Sequence, residues 1–530
     1  SFEASDGITY DLGNTIQNAN SHKLNTAFNM DAFYKYIGFT KRGTKKATPK
    51  APITPPIAPK PGEKVVAKPK VKEAKPNVFV DGLIGLATSI KNIQINYSQT
   101  SGTMLPGYLP SIGFLGSSRP SLGFVFGLQD DVRFEAAKSG LLTNYPEFNQ
   151  NFTQIKTKQL TANANVELFP DLKIDLVADR TYADNFSEQF DAVGGVYNSY
   201  SPYNFGNFSI STVLIKTAFS PSDEITSVAF DNFRSNRLVV ANRLAEISYG
   251  TSQFPTETNV SNPNYGFPIG FGKNNQAVLL PAFLAAYSGS DASGVSLGAF
   301  KNIPIPNWTL KYTGLMRYKF FKDKFKRFSV QHSYKAAYTI NSFRSNFEYT
   351  NPGSYDAGGN FQNKNIIANI NLTEQFSPLV RLDFEMKSSI KILAEMKKDR
   401  TLSLSFDNNL LTELKGVEYV VGLGYRIKDV KIRTKLADNP SGMIKSDINM
   451  RGDISFRNNK TIVRNLDYNN NQLAGGQNIV SAKLTADYAF SKNLTTLFFF
   501  DYSFSKAVIS TAFPLTNIRA GLTLRYNFGN

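Results

Sequence analysis

Cysteine is absent from the 530 residues, histidine occurs only at His22 and His332, and tryptophan only at Trp308. Without cysteine there is no disulfide framework, no Cys-rich zinc site and no thiol nucleophile. A thiol-free chain suits an oxidising cell surface without requiring one. Long hydrophobic runs are missing as well. Residues 277–287, interrupted by Pro281, fall far short of the ~18–20 apolar residues that a membrane helix needs. No helix of this chain is therefore expected to cross a bilayer. The sequence begins at Ser1 with neither an initiator Met nor a charged-then-apolar leader, which reads as a mature fragment whose remainder lies upstream.

Positive charge is plentiful but unevenly placed. The net charge is +17, and in residues 41–75 eleven Lys/Arg face only Glu63 and Glu73, which accounts for +9 of it. The same stretch carries Pro49, Pro52, Pro55, Pro56, Pro59, Pro61 and Pro69 and has no apolar period. Such a composition buries too little surface to offset the entropy of ordering. Residues 41–77 are expected to be an extended, disordered linker, read as a solvated spacer, with a tether to anionic lipid or nucleic acid as the alternative. The linker precedes the first strand, which favours the periplasmic side. With the charge so confined, nucleic acid is not an expected partner.

Beyond the linker, period-two alternation dominates, in segments of about ten residues, the length with which a tilted strand crosses a bilayer. In the last segment Ile518, Ala520, Leu522, Leu524, Tyr526 and Phe528 share one face, and Asn517, Arg519, Gly521, Thr523, Arg525 and Asn527 the other. The split recurs with Val480, Leu484 and Tyr488 against Lys483 and Asp487. It recurs again with Ile448, Ile454 and Phe456 against Asp447, Arg451 and Asp453, and along Leu494, Phe498, Tyr502 and Phe504. Further segments start near Leu160, Leu172, Trp308, Phe328, Ile366, Val380, Thr401 and Tyr419, for about a dozen or more in all. A soluble sandwich also alternates. What separates the two readings is that Phe169, Phe321, Phe376 and Phe490 each close an apolar run before a short polar turn: Pro170-Asp171, Lys322-Asp323-Lys324, Ser377-Pro378 and Ser491-Lys492-Asn493. Residues 341–363, 469–478 and 181–306 read as long connections at the opposite ends. Aromatics at one rim with tight turns, and long loops at the other, are the pattern of an outer-membrane barrel.

Two stretches keep helical spacing. Residues 24–37 (Leu24, Ala27, Phe28, Tyr34, Ile37) predict a short amphipathic helix. Ser222, Asp223 and Glu224 predict a helix start ahead of Ala229, Phe233, Val240, Leu244 and Ile247. The expected organisation is an N-terminal segment with a short helix (1–40), the linker (41–77), barrel strands (78–180), a long insertion folding as a surface cap or an inward plug (181–306), and C-terminal barrel strands (307–530).

No bond chemistry is expected. His332 shares parity with Phe328, Val330, Tyr334 and Tyr338, so it is assigned to the lipid side, while His22 has no strand context; neither suits a hydrolase centre. No His/Asp/Glu group has metal-ligand spacing. Arg451-Gly452-Asp453 lies mid-strand and reads as a coincidental tripeptide, and Gly422-Leu423-Gly424 is too short for a nucleotide loop. No catalytic, cofactor-binding or metal-binding residue is assigned. What remains is the polar face, where Lys, Arg, Asp and Asn recur strand after strand. A mid-depth Lys or Arg facing lipid costs roughly 2–4 kcal/mol, so that face is expected to be wet and, with both signs present, to suit a broad passage rather than an ion filter.

Several strings resemble one family: YSQTSGTMLPG (97–107), GFVFG (123–127), RTLSLSF (400–406), YVVGLGYRI (419–427), TIVR (461–464) and ADYAFS (486–491). In this order they resemble the C-terminal region of the SprA/Sov family, the outer-membrane translocon of the type IX secretion system. The resemblance implies an all-β transmembrane antiparallel β-barrel, of which this chain is the C-terminal part of a very large wall. It further implies a channel passing folded cargo that bears a C-terminal sorting domain, a smaller outer-membrane barrel partner of the PorV kind, a periplasmic plug protein, and an upstream segment of the same protein to complete the wall. A substrate-specific nutrient transporter is the alternative, and a barrel-borne enzyme or adhesin a third reading.

Overall fold

The computed structural model describes residues 2–3, 7–38, 88–111, 119–349, 353–433, 443–468, 470–491, 493–509 and 512–528. The linker expected at 41–77 lies outside them. Strands β1 (Phe2–Glu3) and β2 (Thr9–Tyr10) pair with each other. The remaining fifteen form one antiparallel sheet: β3 (Asn14–Asn29), β4 (Ile90–Tyr108), β5 (Asn151–Phe169), β6 (Leu172–Asp191), β7 (Asn198–Ser211), β8 (Asn307–Tyr312), β9 (Phe325–Ser345), β10 (Asn365–Ile367), β11 (Asn369–Met386), β12 (Ile390–Ser405), β13 (Leu410–Arg433), β14 (Met443–Asn465), β15 (Asn471–Ala489), β16 (Leu494–Ala507) and β17 (Leu515–Tyr526). Neighbours in sequence are mostly neighbours in space, from β17 at one edge to β3 at the other.

The cross-strand register gives each strand one side on each surface of the sheet. Phe28, Ile95, Ala162, Leu176, Leu310, Val330, Leu382, Ala394, Val421, Ile454, Leu484, Phe500 and Ile518 lie on one surface. Asn25, Asn96, Asn163, Asp175, Gln331, Arg381, Glu395, Glu418, Arg457, Lys483, Asp501 and Arg519 lie on the other. An apolar band running without interruption across every lane is the lipid face of a transmembrane β-barrel wall, because lipid can satisfy neither charge nor backbone. Aromatic pairs mark one border of the band: Phe169 with Tyr312, Phe325 and Phe328 with Phe384, Tyr488 with Phe490, and Tyr526 with Phe528. The expected girdle positions Phe169, Phe321 and Phe490 sit there. Phe376 does not: it is buried at the opposite border, against Tyr334.

The strands are far longer than a bilayer requires. β13 has 24 residues and β14 has 23, whereas ~9–11 suffice to cross. About half of each long strand therefore projects beyond the hydrocarbon. This corrects the ten-residue segments expected from alternation. Ser377-Pro378 is no turn; it sits in a β-bulge inside β11, whose pairing breaks between Phe376 and Val380, and a bulge is where a strand tolerates a proline. Lys322 to Lys324 belong to a short helix, and residues 471–478, expected as loop, belong to β15. Residues 24–29, expected as helix, continue β3 through pairing with β4, and with them His22 acquires a strand partner in Gln99.

Helix α1 (Met30–Tyr36) follows β3, capped by the Asn29 side chain. Helices α2 (Leu122–Val125) and α3 (Arg133–Lys138) lie in the β4–β5 connection. Helices α4 (Val228–Tyr249) and α5 (Gln276–Ser288) belong to the large insertion, and α6 (Lys319–Lys324) precedes β9. α4 starts at Ser227, whose side chain accepts from Phe230 N–H, rather than at Ser222, and stops at Gly250 in the left-handed region; cap and stop are the usual ones. α5 is apolar all round because it is buried all round, from Val278 to Tyr287.

The insertion is not a loop between strand ends. β7, 14 residues, and β8, 6 residues, share one lane between the 20-residue β6 and the 21-residue β9. The chain runs partway along the lane, leaves at Thr212, builds residues 212–306, and resumes the lane at Asn307. The start expected at 181 was too early because β6 continues to Asp191 and β7 follows. The insertion's helices lie on the wall as a helical cap. α4 and α5 pack on the surface that carries the apolar band, burying Phe208, Ile210, Tyr334, Tyr338, Ile370, Leu372, Leu402, Leu404 and Leu411 beyond the band's upper border. Two ion pairs fasten it. Arg400 donates to Glu374 Oε2 (2.8 Å) and to Thr217 O and Oγ1 (both 3.0 Å). Arg464 donates to Glu413 Oε2 (3.2 Å), Ser222 Oγ (2.9 Å) and Asp223 O (2.7 Å).

The β4–β5 connection makes a smaller second cap on the same surface. Phe124, Val132 and Phe148 pack on Leu105, Phe152 and Phe190, and Arg133 pairs with Asp131 (2.7 Å) and with Glu188.

Candidate functional site

With the apolar surface given to lipid and caps, the opposite surface is the one left to do something. Its chemistry changes along the wall. On β3 to β5 it is mainly amides and hydroxyls: Asn25, Gln94, Asn96, Ser98, Gln159, Thr161 and Asn163. Asp175 and Asp179 of β6 accept from Asn165 (2.6 Å) and Thr161 (2.8 Å). From β9 onward it is charged. Asp383 takes Arg327 (2.9 Å) and Arg381 (3.5 Å), and Arg381 reaches Glu395 (3.8 Å). Lys397 lies between Glu395 (4.0 Å) and Glu418 (3.6 Å), and Arg457 joins Glu418 (3.7 Å) to Asp399 (2.9 Å). This ladder crosses β9, β11, β12, β13 and β14. Farther on, Arg451 pairs with Asp453 (2.8 Å) and Arg519 with Asp501 (2.6 Å).

These pairs are partly exposed, where each contributes only about 0–1 kcal/mol. The ladder is thus weak as a fastener and effective as a surface: dense in both signs and internally neutralised.

Three glycines on the same side of β13 make room for it. A Cβ at Gly416 would stand 2.8 Å from Arg457 Nη2 and from Asp399 Oδ1, and one at Gly422 would stand 2.5 Å from Asp453 Oδ1. Gly422 and Gly424 clear the floor of a groove of about 460 Å³, edged by Arg327, Arg381, Asp383, Arg426, Arg451 and Asp453. The Gly422-Leu423-Gly424 string, set aside as a nucleotide loop, therefore has a packing reason. The signal in the sequence was glycine at alternate positions on a polar side, legible only once that side is assigned.

The residues weighed for chemistry are dispersed. His332 lies on the apolar surface, as its parity predicts, and its Nδ1 donates to Leu379 O (2.7 Å). Arg451 and Asp453 of the RGD tripeptide bond each other on the polar surface. Among the described residues no group of three or more His, Cys, Asp and Glu could hold a metal ion, and no helix is long and apolar enough to cross a membrane, which says nothing of strands.

No family model and no curated protein matches the chain. Solved structures with related coordinates include the RagAB peptide importer in its open-open state, with 7% identity and a TM-score of 0.26 over 78% of this chain and 44% of that one. The RagAB peptide transporter gives 8% identity and a TM-score of 0.26 over 79% and 45%. This chain spans less than half the length of either.

Proposed function

We propose that this chain is part of the wall of a protein-conducting outer-membrane channel, of the kind that exports folded cargo in type IX secretion. The observation that supports the reading most is the polar surface: a wide sheet of both charge signs on which, among the described residues, no group of acids and histidines could hold a metal ion. A ladder already neutralised within itself offers no net field to select an ion and no desolvated pocket to hold a small solute. It offers hydration to whatever slides past, which a folded polypeptide with its own mixed surface needs.

β3 and β17 each have one partner among the described residues. A strand edge in hydrocarbon leaves backbone groups unsatisfied at several kcal/mol each. The proposal therefore includes further strands from an upstream segment of the same protein, a smaller barrel of the PorV kind seated on the wall, a periplasmic plug protein, and cargo with a C-terminal sorting domain. The channel performs no bond chemistry and holds no cofactor.

The chain has no cysteine, so a single introduced thiol is its only one. Ser455→Cys and Thr485→Cys on the polar surface should label with an impermeant maleimide in intact outer membranes and cross-link to exported proteins. Ile454→Cys and Ala486→Cys on the apolar surface should do neither. Equal labelling of both sets would defeat the wet-wall reading; labelling without capture of exported protein in a secreting cell would defeat export.

A further inference from the structure

On β13 and β14 the apolar band carries its aromatic border at the directly paired Tyr419 and Phe456, both exposed. Two positions further toward the caps, on the same surface, Lys415 stands directly opposite Lys460, and Lys415 is also directly opposite Arg400 of β12. Lys398, one on-face position nearer the band on β12, completes the cluster. Cβ atoms of directly opposed residues are about 4.5–5.5 Å apart, and like charges so placed destabilise a sheet unless something lies between them.

Arg400 is neutralised by Glu374 beneath the cap. The three lysines make no ion pair among the described residues: Lys415 Nζ donates to the Ser222 carbonyl, and Lys398 Nζ lies 4.3 Å from the centre of the Phe219 ring, with Glu374 already bound to Arg400. Glu413 is bound to Arg464, and Asp223, whose Oδ1 accepts the N–H groups of Ile225 and Thr226, is the acid of the cap that acts on Lys415, without an ion pair to it. The rim of the cap above the lysines is apolar and exposed, with Phe219 at 56% and Ile225 at 84%.

We infer that Lys398, Lys415 and Lys460 form a headgroup site for a phosphorylated membrane lipid, whose acyl chains lie along the band on Val421 and Ile454. The order along the surface is that of such a lipid: hydrocarbon, an aromatic border, then directly opposed cations. A phosphate between Lys415 and Lys460 removes their repulsion, and Phe219 and Ile225 enter the interface beside it. The inference rests on the membrane placement of the band and is independent of export.

The test uses the full chain in its native complex, delipidated and presented with bisphosphorylated lipid A or with the same lipid dephosphorylated. The wild type should retain the phosphorylated form about tenfold more strongly or better, since a surface cation contributes about 1 kcal/mol toward an anionic headgroup. K415Q/K460Q should lose that preference, while K483Q, on the polar surface, should keep it. If the double variant fails to assemble, K460Q alone carries the test, because Lys460 makes no hydrogen bond or ion pair to the cap among the described residues. A wild type indifferent to the phosphate, a K460Q variant with undiminished preference, or inorganic phosphate competing as well as the lipid would each overturn the site.

Discussion

β13 and β14 carry two regions on a single surface, and the contrast between them is instructive. From Tyr419 to Tyr425 and from Phe456 to Met450 the outward residues, Gly452 apart, are large, apolar and exposed; from Leu411 to Glu413 and from Ile462 to Leu466 they are buried, two of them as an ion pair. Strand, surface and alternation are the same. What differs is the solvent: lipid over one half and the protein's own helices over the other. Lipid accepts only apolar side chains, whereas a folded cap can supply Ser222 Oγ and Asp223 O to a buried arginine. A charged residue on the outer surface therefore marks where the hydrocarbon stops.

The contrast breaks most severely at the cap. Phe283, packed on Phe233 at 5.5 Å, should cost about 3–5 kcal/mol when cut to alanine. Glu413→Ala, which strands Arg464, should cost a similar 3–5 kcal/mol. Hydrogen exchange in detergent should show α4 and α5 opening while the lower halves of β13 and β14 stay protected; a uniform loss would mean that the two halves are one cooperative unit. Next comes the membrane half. Val421→Arg should cost about 2–4 kcal/mol in bilayer, and Val420→Arg, one residue away on the polar surface beside Glu395, far less. Equal costs in refolding into vesicles would erase the distinction between the surfaces.

Acid should loosen the smaller cap. The hydrogen bond from Arg133 holds the Asp131 carboxyl below its ordinary range, against a smaller opposing effect of burial. A carboxylate with a lowered folded pKa contributes stability that is fully present above its unfolded value, about 3.9, and is lost as pH falls through the folded one. Protection of α3 amides, corrected for intrinsic exchange, should drop below about pH 4, and Asp131→Asn should flatten that dependence. The smallest effect is expected in the ladder. Lys397→Gln, between two acids at 4.0 and 3.6 Å, should change urea stability by less than about 1 kcal/mol, and a larger loss would make the ladder a fastener after all.

The parts of the molecule legible from the sequence are those where one residue's solvent is decided by its immediate neighbours along the strand. Ile518 to Tyr526, Val480 to Tyr488 and Ile448 to Phe456 alternate as expected, and the register places all three on one surface. The turns at Pro170-Asp171 and between β15 and β16 were legible for the same local reason. Phe376 and the Ser377-Pro378 pair were misread because an aromatic before a proline looks the same at a girdle as in a bulge under a cap. The ion ladder was visible only as a polar side. Its pairing depends on register across five strands, and the space cleared by Gly416 and Gly422 depends on which side chains stand beside them.

The sequence by itself determined that this is an amphipathic β-wall without helical spans, because a two-residue period and the absence of long apolar runs are properties of the chain alone. Only the tertiary structure decided where the membrane band ends, that residues 212–306 leave from the middle of a lane and settle on the lipid-side surface, and that Lys415 faces Lys460. Each of these is a relation between strands far apart in sequence, set by the cross-strand register and by which surface the helices bury, and alternation within one strand carries neither.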